Sequence, residues 1–423
     1  MKRILIYKNI TSNLECNINT HYNNNELFDL FKKFYPNHIP NTGNKVWFQG
    51  IVSEISNQNS VISFLTDDMT IDYINNNFDL IVYPMANIFG YTYKTALDNI
   101  GATFEKINIP TYIISCGIQA KSIDEIDDIV SVIKTEANRF ISSVYNTGGQ
   151  FALRGNITNS FFKKLGFNDA AVVGCPSLYQ RGAQLRIDST NKVSKDSFKA
   201  ILNGSLSDYT AKSFFSDGKC SFIDQDCFVH PLFNKEFCSE LNKDKKKTIS
   251  ALKYYGYNEL EQVFKGNVQL FFETNLWYNY LIKNNFSFSF GSRIHGNIMS
   301  ILSGIPTLIN TKDVRVKEMA ELYNIPYIEN KEVKSIDELY ELYCKTDYTK
   351  FNQMYPKIYN NYEEFLIKND IVDSAGITDS FTILNDKNYN QLIKYPTENQ
   401  FCNSLASIKK YSYIFKILNY IKQ

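Results

Sequence analysis

The chain has 423 residues, 44% hydrophobic and 21% charged, which excludes global disorder and is too long for one compact core. Lys+Arg 45 against Asp+Glu 44 leaves a net charge of +1, which excludes the strong basic excess of a dedicated nucleic-acid binder. No apolar run reaches the ~18–20 residues of a membrane span, and the eight cysteines are too scattered for a disulfide framework.

The chain opens MKRILIYKNITSN. Its short apolar run is too brief for a signal-peptide core, so it predicts a first strand at Ile4–Tyr7 and a cytoplasmic protein. Further strands are expected at Leu80–Tyr83, Tyr112–Ser115, Phe151–Leu153 and Ala171–Val173. Between them the 3.6-residue spacing predicts helices near Lys45–Ile55, Tyr91–Ile100, Ile123–Phe140 and Thr158–Leu165. Strands apolar at consecutive positions and alternating with helices imply a parallel sheet covered on both faces.

Residues 180–196, QRGAQLRIDSTNKVSKD, carry few apolar anchors and place a domain boundary. Alternation then resumes with strands at Lys199–Leu202, Ser221–Ile223, Gln269–Phe271, Phe286–Phe290 and Thr307–Ile309, and helices at Glu273–Lys283, Ile294–Ser303 and Val316–Tyr323. From about residue 335 the pattern is helical. The division expected is a first α/β domain over 1–185, a second over 190–345, and a mainly helical segment over 346–423. Ligands of open α/β sheets sit beyond the carboxyl ends of the strands, so the informative residues should follow predicted strands.

The densest chemistry lies in Ser287–Asn310, SFSFGSRIHGNIMSILSGIPTLIN. A strand runs into Gly-Ser-Arg-Ile-His-Gly and then into a helix with Ile294, Ile298, Ile301 and Leu302 on one stripe. Gly291 permits the tight turn. Arg293 and His295 stand where free helix N–H groups and the helix dipole favour an anion. From the residues alone two readings stand. One is a phosphate or carboxylate site with a proton donor within reach. The other is an Arg paired with an inter-domain carboxylate beside a His that caps a helix.

The stretch Gly291–Asn310 closely resembles the signature of the polysaccharide pyruvyl transferase family. Ala152-Leu-Arg154-Gly155 and Val172-Val-Gly174-Cys175-Pro176-Ser177-Leu178 resemble its mid-chain blocks. Asp313-Val-Arg315-Val-Lys-Glu318, followed by Tyr323-Asn-Ile-Pro326, resembles its D-x-R-x-x-E block. Asn41-Thr-Gly43-Asn44 resembles its N-terminal glycine loop, here set behind an Asn-rich insertion over roughly 8–40.

The resemblance implies a GT-B-like fold: two Rossmann-like domains, with parallel sheets facing a central cleft, and a helical C-terminal segment. It implies transfer of a pyruvyl group from phosphoenolpyruvate to a sugar of a surface polysaccharide or its precursor, as a cyclic ketal. It implies no metal and no cofactor beyond that donor. The partners implied are phosphoenolpyruvate and a sugar or lipid-linked oligosaccharide acceptor, with no nucleic acid. Arg293 and His295 match the family's Arg-x-His donor pair, Arg154 matches a further donor Arg, and Gly291 and Ser292 complete the donor turn. Charged hydrogen bonds worth about 1.5–3 kcal/mol each suit so small a polyanion. Protonation of the enol carbon needs an acid, the role expected of His295, whose pKa a bound anion lifts above ~6.5.

Other residues keep two readings. Asn41, Gly43 and Asn44 either line the acceptor side of the cleft or cap a helix. Cys175 and Ser177 either touch substrate or form a strand-to-helix turn. Asp313, Arg315 and Glu318 either enter the cleft or form a local ion pair, 315 and 318 being i,i+3 neighbours. Trp277 is expected to pack a helix on a sheet. Cys220, Cys227, His230 and Cys238 are ligand types whose spacing matches no structural zinc pattern, so no metal is expected. The closing LASIKKYSYIFKILNYIKQ reads as a helix over 405–423 that either packs on the body or lies on the inner face of the cytoplasmic membrane. Two rival functions remain: a GT-B glycosyltransferase using a nucleotide sugar, and a non-catalytic sugar-binding protein.

Overall fold

The structure, a computed structural model, describes residues 1–8, 41–56, 59–209, 212–215, 217–225, 262, 265–373 and 381. The first half is built on a seven-stranded sheet. Its strands are β1 Lys2–Ile6, β2 Ser60–Phe64, β3 Leu80–Pro84, β4 Asn87–Phe89, β5 Thr111–Ile118, β6 Gln150–Leu153 and β7 Ala171–Val172. The order is β2-β1-β3-β5-β6-β7, with β4 pairing β5, and the pairings are parallel. β5 is buried at every position, which is why TYIISCGI shows no alternation. Helices α1 Gly43–Ile55, α2 Ile71–Asn77, α3 Lys94–Phe104, α4 Glu125–Asn146 and α5 Asn156–Lys164 make the crossovers.

The second half carries β8 Ala200–Asn203, β9 Cys220–Ile223, β10 Val268–Gln269, β11 Phe288–Gly291, β12 Thr307–Thr311 and β13 Tyr327–Glu329. The order is β10-β9-β8-β11-β12-β13, again parallel. The direction of winding reverses between β8 and β11. The crevice beyond the carboxyl ends at such a reversal is where open α/β sheets take their ligands. Helices α6 Thr274–Lys283, α7 Ile294–Leu302, α8 Val314–Tyr323, α9 Ile336–Lys345 and α10 Thr349–Lys368 follow. Trp277 of α6 is buried and stacks on Phe271 at 5.7 Å.

Most element ends lie within a few residues of those expected from the pattern. β2, β4, β13 and α2 were not expected. β2 is an edge strand, SVISF, only partly buried, so its two serines interrupt the apolar run that would have marked it. β13 is likewise a short, partly exposed edge.

Two helices join the halves into the GT-B-like arrangement. α1 lies in a core cluster that also holds Ile201 and Ile223 of the second sheet. The buried Lys45 of α1 donates to the Phe272 carbonyl. α10 crosses back to the first half. Its Tyr355 hydroxyl donates to the carbonyls of Leu178 and Gly182 at 3.1 and 2.9 Å, and Phe365 meets Tyr112 edge-on. Among the described residues no helix is long and apolar enough to cross a membrane; the 405–423 segment lies outside them.

A nest of tyrosines, Tyr179, Tyr323, Tyr355, Tyr359 and Tyr362, fills the junction. The Cys175 N–H donates to the Tyr323 hydroxyl at 2.7 Å, and that hydroxyl shares a hydrogen bond with Tyr179. Glu54 of α1 is buried nearby, beside the Tyr362 hydroxyl, whose hydrogen bond holds the carboxyl pKa down only in part. Burial, before any charge effect, lifts its pKa well above the ordinary value. An acid raised in the folded state stabilises the fold fully below its unfolded pKa of about 4.3, and that stability is lost as pH rises toward the folded pKa. Glu54→Gln should therefore melt with a flatter pH dependence above about pH 5 than the wild type. Identical melting profiles for the two proteins would show that Glu54 does not titrate with folding.

Candidate functional site

β11 ends at Gly291, whose φ of +153° lies in the range glycine tolerates. A β-carbon there would sit 1.5 Å from the Asn203 carbonyl oxygen, so only glycine lets the ends of β8 and β11 close together. Ser292 N–H then donates to that carbonyl at 3.0 Å. Arg293 is the N-cap residue of α7, and His295 stands on its first turn. Asn297 donates to the Gly291 carbonyl at 2.8 Å and accepts from Asn203 at 3.2 Å and Ser289 at 3.1 Å. This buried amide and hydroxyl network fixes the turn that presents Arg293 and His295.

The first half meets this turn through α1. The Asn41 side chain accepts from the Gly43 N–H at 2.8 Å, an N-terminal cap. Thr42 bonds the Gln225 carbonyl at the end of β9 through both its N–H and its hydroxyl. A β-carbon on Gly43 would lie 2.9 Å from the His295 β-carbon. The glycine is thus the point where α1 lies against His295. Asn44 is exposed.

Arg154 follows β6 and is 2% exposed. Its guanidinium donates to the Ser115 hydroxyl at 3.2 Å and reaches the Asn87 amide at 3.4 Å. Ser115 itself has φ +68° at an irregularity in β5, a strained geometry for a non-glycine residue. Its hydroxyl lies 3.7 Å from Cys175 Sγ, which lies 3.0 Å from Ser177 Oγ. Cys175 and Ser177 therefore stand behind Arg154, both buried, and Pro176–Leu178 form a short 3₁₀ turn.

α8 supplies the third cation. Asp313 caps α8 by accepting from the Val316 N–H at 2.9 Å, and pairs with Arg315 at 3.0 Å. The amide of Asn87, turned so that its oxygen faces the cation, accepts from Arg315 at 2.7 Å. In this orientation the Asn87 oxygen serves Arg315, and its amide nitrogen, which donates to the Ala86 carbonyl at 2.9 Å, is the atom facing Arg154. Glu318 does not pair with Arg315. It is buried and crosses to the first half, accepting from the Thr158 N–H at 2.6 Å and hydroxyl at 2.9 Å. The i,i+3 ion pair is displaced because Glu318 caps α5, where three or four free N–H groups attract a carboxylate. Burial holds the Glu318 pKa above its ordinary value, against the pull of those bonds.

The structure thus brings together Arg154, Arg293, Arg315 and His295 at the seam. Burial, then the fields of Arg154 and Arg315, push the His295 imidazole down to about 3. Burial and the charges of Arg154 and Arg293 likewise push Arg315 down, against the opposing effect of Asp313. His295 Nε2, Arg154 Nε, Arg315 Nε, Asn203 Oδ1 and Gln225 Oε1 are shielded yet have no hydrogen-bond partner among the described residues. The two shielded guanidinium Nε donors of Arg154 and Arg315 suit an anion, whereas the Asn203 and Gln225 oxygens are acceptors and do not. Asn87, Ser115, Asn203 and Gln225 were not read from the sequence. Asn203 could have been, because Asn-Gly-Ser directly follows a predicted strand. Of the zinc-type residues, Cys220 is buried in β9 with its thiol pushed up to about 12, and Cys227, His230 and Cys238 lie outside the described residues.

No protein-family model and no curated protein matches this chain. Solved structures with a similar course include the S. aureus MnaA–UDP co-structure, at 8% identity and TM-score 0.42, covering 89% of this chain and 100% of that one. A UDP-N-acetylglucosamine 2-epimerase gives 11% identity and TM-score 0.41, covering 89% of this chain and 98% of that one. The glycosyltransferase SnogD from Streptomyces nogalater gives 10% identity and TM-score 0.33, covering 86% and 95%. At such identity the likeness concerns the fold alone.

The low imidazole pKa has a direct readout. In the ligand-free protein the His295 ring should stay neutral from pH about 8 to 5 in a nitrogen-detected NMR titration, whereas an ordinary histidine titrates near 6.5. Adding inorganic phosphate, which offsets the arginine charges, should move its titration upward. A His295 midpoint near 6.5 without any anion would contradict its burial beside Arg154 and Arg315.

Proposed function

We propose that the chain is a pyruvyltransferase, taking phosphoenolpyruvate as donor and a sugar as acceptor. The observation that carries the reading is the approach of Arg154 and Arg315 to His295, with Arg293 acting in turn on Arg315. A donor bearing both a carboxylate and a phosphate offers enough negative charge to satisfy three guanidinium groups within a small volume. Planar guanidinium forks match those two groups in a way that ammonium groups do not.

The chemistry then follows from charge. In the empty site the imidazole is neutral. The donor's negative charges offset the arginine fields and raise the imidazole pKa, so His295 takes up a proton as the donor binds. His295 delivers that proton to the methylene carbon of the enol while a sugar hydroxyl adds to the neighbouring carbon. The bond from that carbon to the phosphate oxygen breaks, and inorganic phosphate leaves to the arginines. A second hydroxyl of the same sugar closes the cyclic ketal; one hydroxyl proton returns to the His295 imidazole and the other goes to the departing phosphate.

A second reading, a glycosyltransferase with a nucleotide-sugar donor, has one observation in its favour. A 490 Å³ cavity lies at the carboxyl ends of β11 and β12, beside the cationic turn, and phosphoenolpyruvate alone does not fill it. In that reading the arginines would hold a diphosphate.

Incubation with phosphoenolpyruvate and a nitrophenyl glycoside should release phosphate and add a pyruvate ketal. Arg315→Lys and Arg154→Lys should each slow turnover by roughly 10²–10³, the range for losing one preorganised donor. His295→Gln should lose about 10²–10⁴ while still binding phosphoenolpyruvate. Turnover of a UDP-sugar without any phosphate release from phosphoenolpyruvate would favour the second reading and sink the first.

A further inference from the structure

The cavity beside the cationic turn is built differently from the cleft. Its walls come from Asp208, Asn310, Lys312, Asn330, Lys331 and Glu332, over a floor of Tyr209, Phe290 and Val333. It joins the turn directly. A β-carbon on Gly204, the residue after β8, would lie 3.2 Å from Ser292 Oγ and 3.6 Å from Asp208 Oδ2. Ser292 is the residue before Arg293, so the cavity opens one residue away from the arginines.

Its charge is balanced. Lys312 and Lys331 face Asp208 and Glu332, and Lys312 pairs with Asp208 at 3.1 Å. A phosphate or diphosphate entering here would meet two carboxylates as well as two ammonium groups, so the cavity gives a polyanion no net attraction. The floor is apolar, with Tyr209 and Phe290 3% and 1% exposed; neither presents a broad open face on which a nucleobase could stack. The rim is preorganised. Asn310 accepts from the Lys331 N–H at 2.9 Å and donates to the Lys331 carbonyl at 2.8 Å, and Asn330 holds a left-handed φ of +48°. The volume lies within the about 300–1,000 Å³ of ordinary small-molecule sites.

We infer that this cavity is a subsite for a neutral saccharide unit, adjoining the unit that reacts. Alternating carboxylate, amide and ammonium groups on a fixed rim suit the donor and acceptor capacity of ring hydroxyls. The division of labour is by charge: the arginine seam takes the anionic donor, and the balanced cavity takes an uncharged part of the acceptor. This inference rests on the donor reading of the seam and adds where the acceptor extends.

Saturation-transfer NMR on the full chain, with methyl glycosides of glucose, galactose, N-acetylglucosamine and N-acetylmannosamine, tests it. At least one neutral glycoside should receive saturation with inorganic phosphate present, because phosphate occupies the arginines and leaves the cavity open. Asp208→Ala, and separately Lys331→Trp, which crowds the cavity, should weaken that glycoside about tenfold, the loss of one good polar contact. Phosphoenolpyruvate affinity, measured on the same variants, should stay unchanged. No signal from any glycoside, or a signal that neither variant weakens, would overturn the subsite. A UDP signal displacing the glycoside would also overturn it, in favour of a nucleotide cavity. Glycoside binding that obeys these rules in a protein that ignores phosphoenolpyruvate would keep the subsite and remove the donor reading.

Discussion

Like charges do not share a shielded seam without a counter-charge. Two cations 4 Å apart in a setting of effective dielectric about 20 repel by about 4 kcal/mol. Here Arg154 comes from the first sheet, and Arg293 and Arg315 come from the second half; Asp313 pairs with Arg315. Asn87 accepts from Arg315 but brings no charge. Burial and the neighbouring arginines hold the Arg315 pKa down against the pull of Asp313. His295 registers the same field as a depressed imidazole.

Holding that charge requires the halves to be joined rigidly around it. Glu318 reaches from α8 to cap α5, and the Tyr323 hydroxyl accepts from Cys175. Both ties run from the helix that carries Arg315 to the half that carries Arg154. α1 closes the third side, where the bare Gly43 lets the helix start lie against His295. A shift of either half would change the spacing of the cations and hence the imidazole's protonation. Under the proposed donor reading, binding and proton uptake are one event.

Much of the fold was legible because its central strands are apolar at consecutive positions, as β5 is. The edge strands β2 and β13 were not, since one exposed face leaves a mixed pattern. At the site, Gly-Ser-Arg-Ile-His announced itself through a strand-to-helix turn rich in charge. Arg154 was found through motif position, and its neighbour Ser115 was not, because its role depends on a left-handed backbone inside an apolar strand. Asn87 and Gln225 are ordinary loop and strand-end residues in the sequence. Only the approach of two distant segments gives them a function. Glu318 looked like a partner for Arg315 by spacing, and the nearby helix start of the other half took it instead.

The central claim is that the seam is a site for a small carboxylate-bearing phosphate. Isothermal titration of the full chain with phosphoenolpyruvate, repeated in buffers of differing ionisation heat, tests it most directly. The account predicts 1:1 binding with uptake of up to one proton, the uptake vanishing in His295→Gln while binding persists. Absence of binding by phosphoenolpyruvate, with tight binding of a UDP-sugar and no proton uptake, would contradict it.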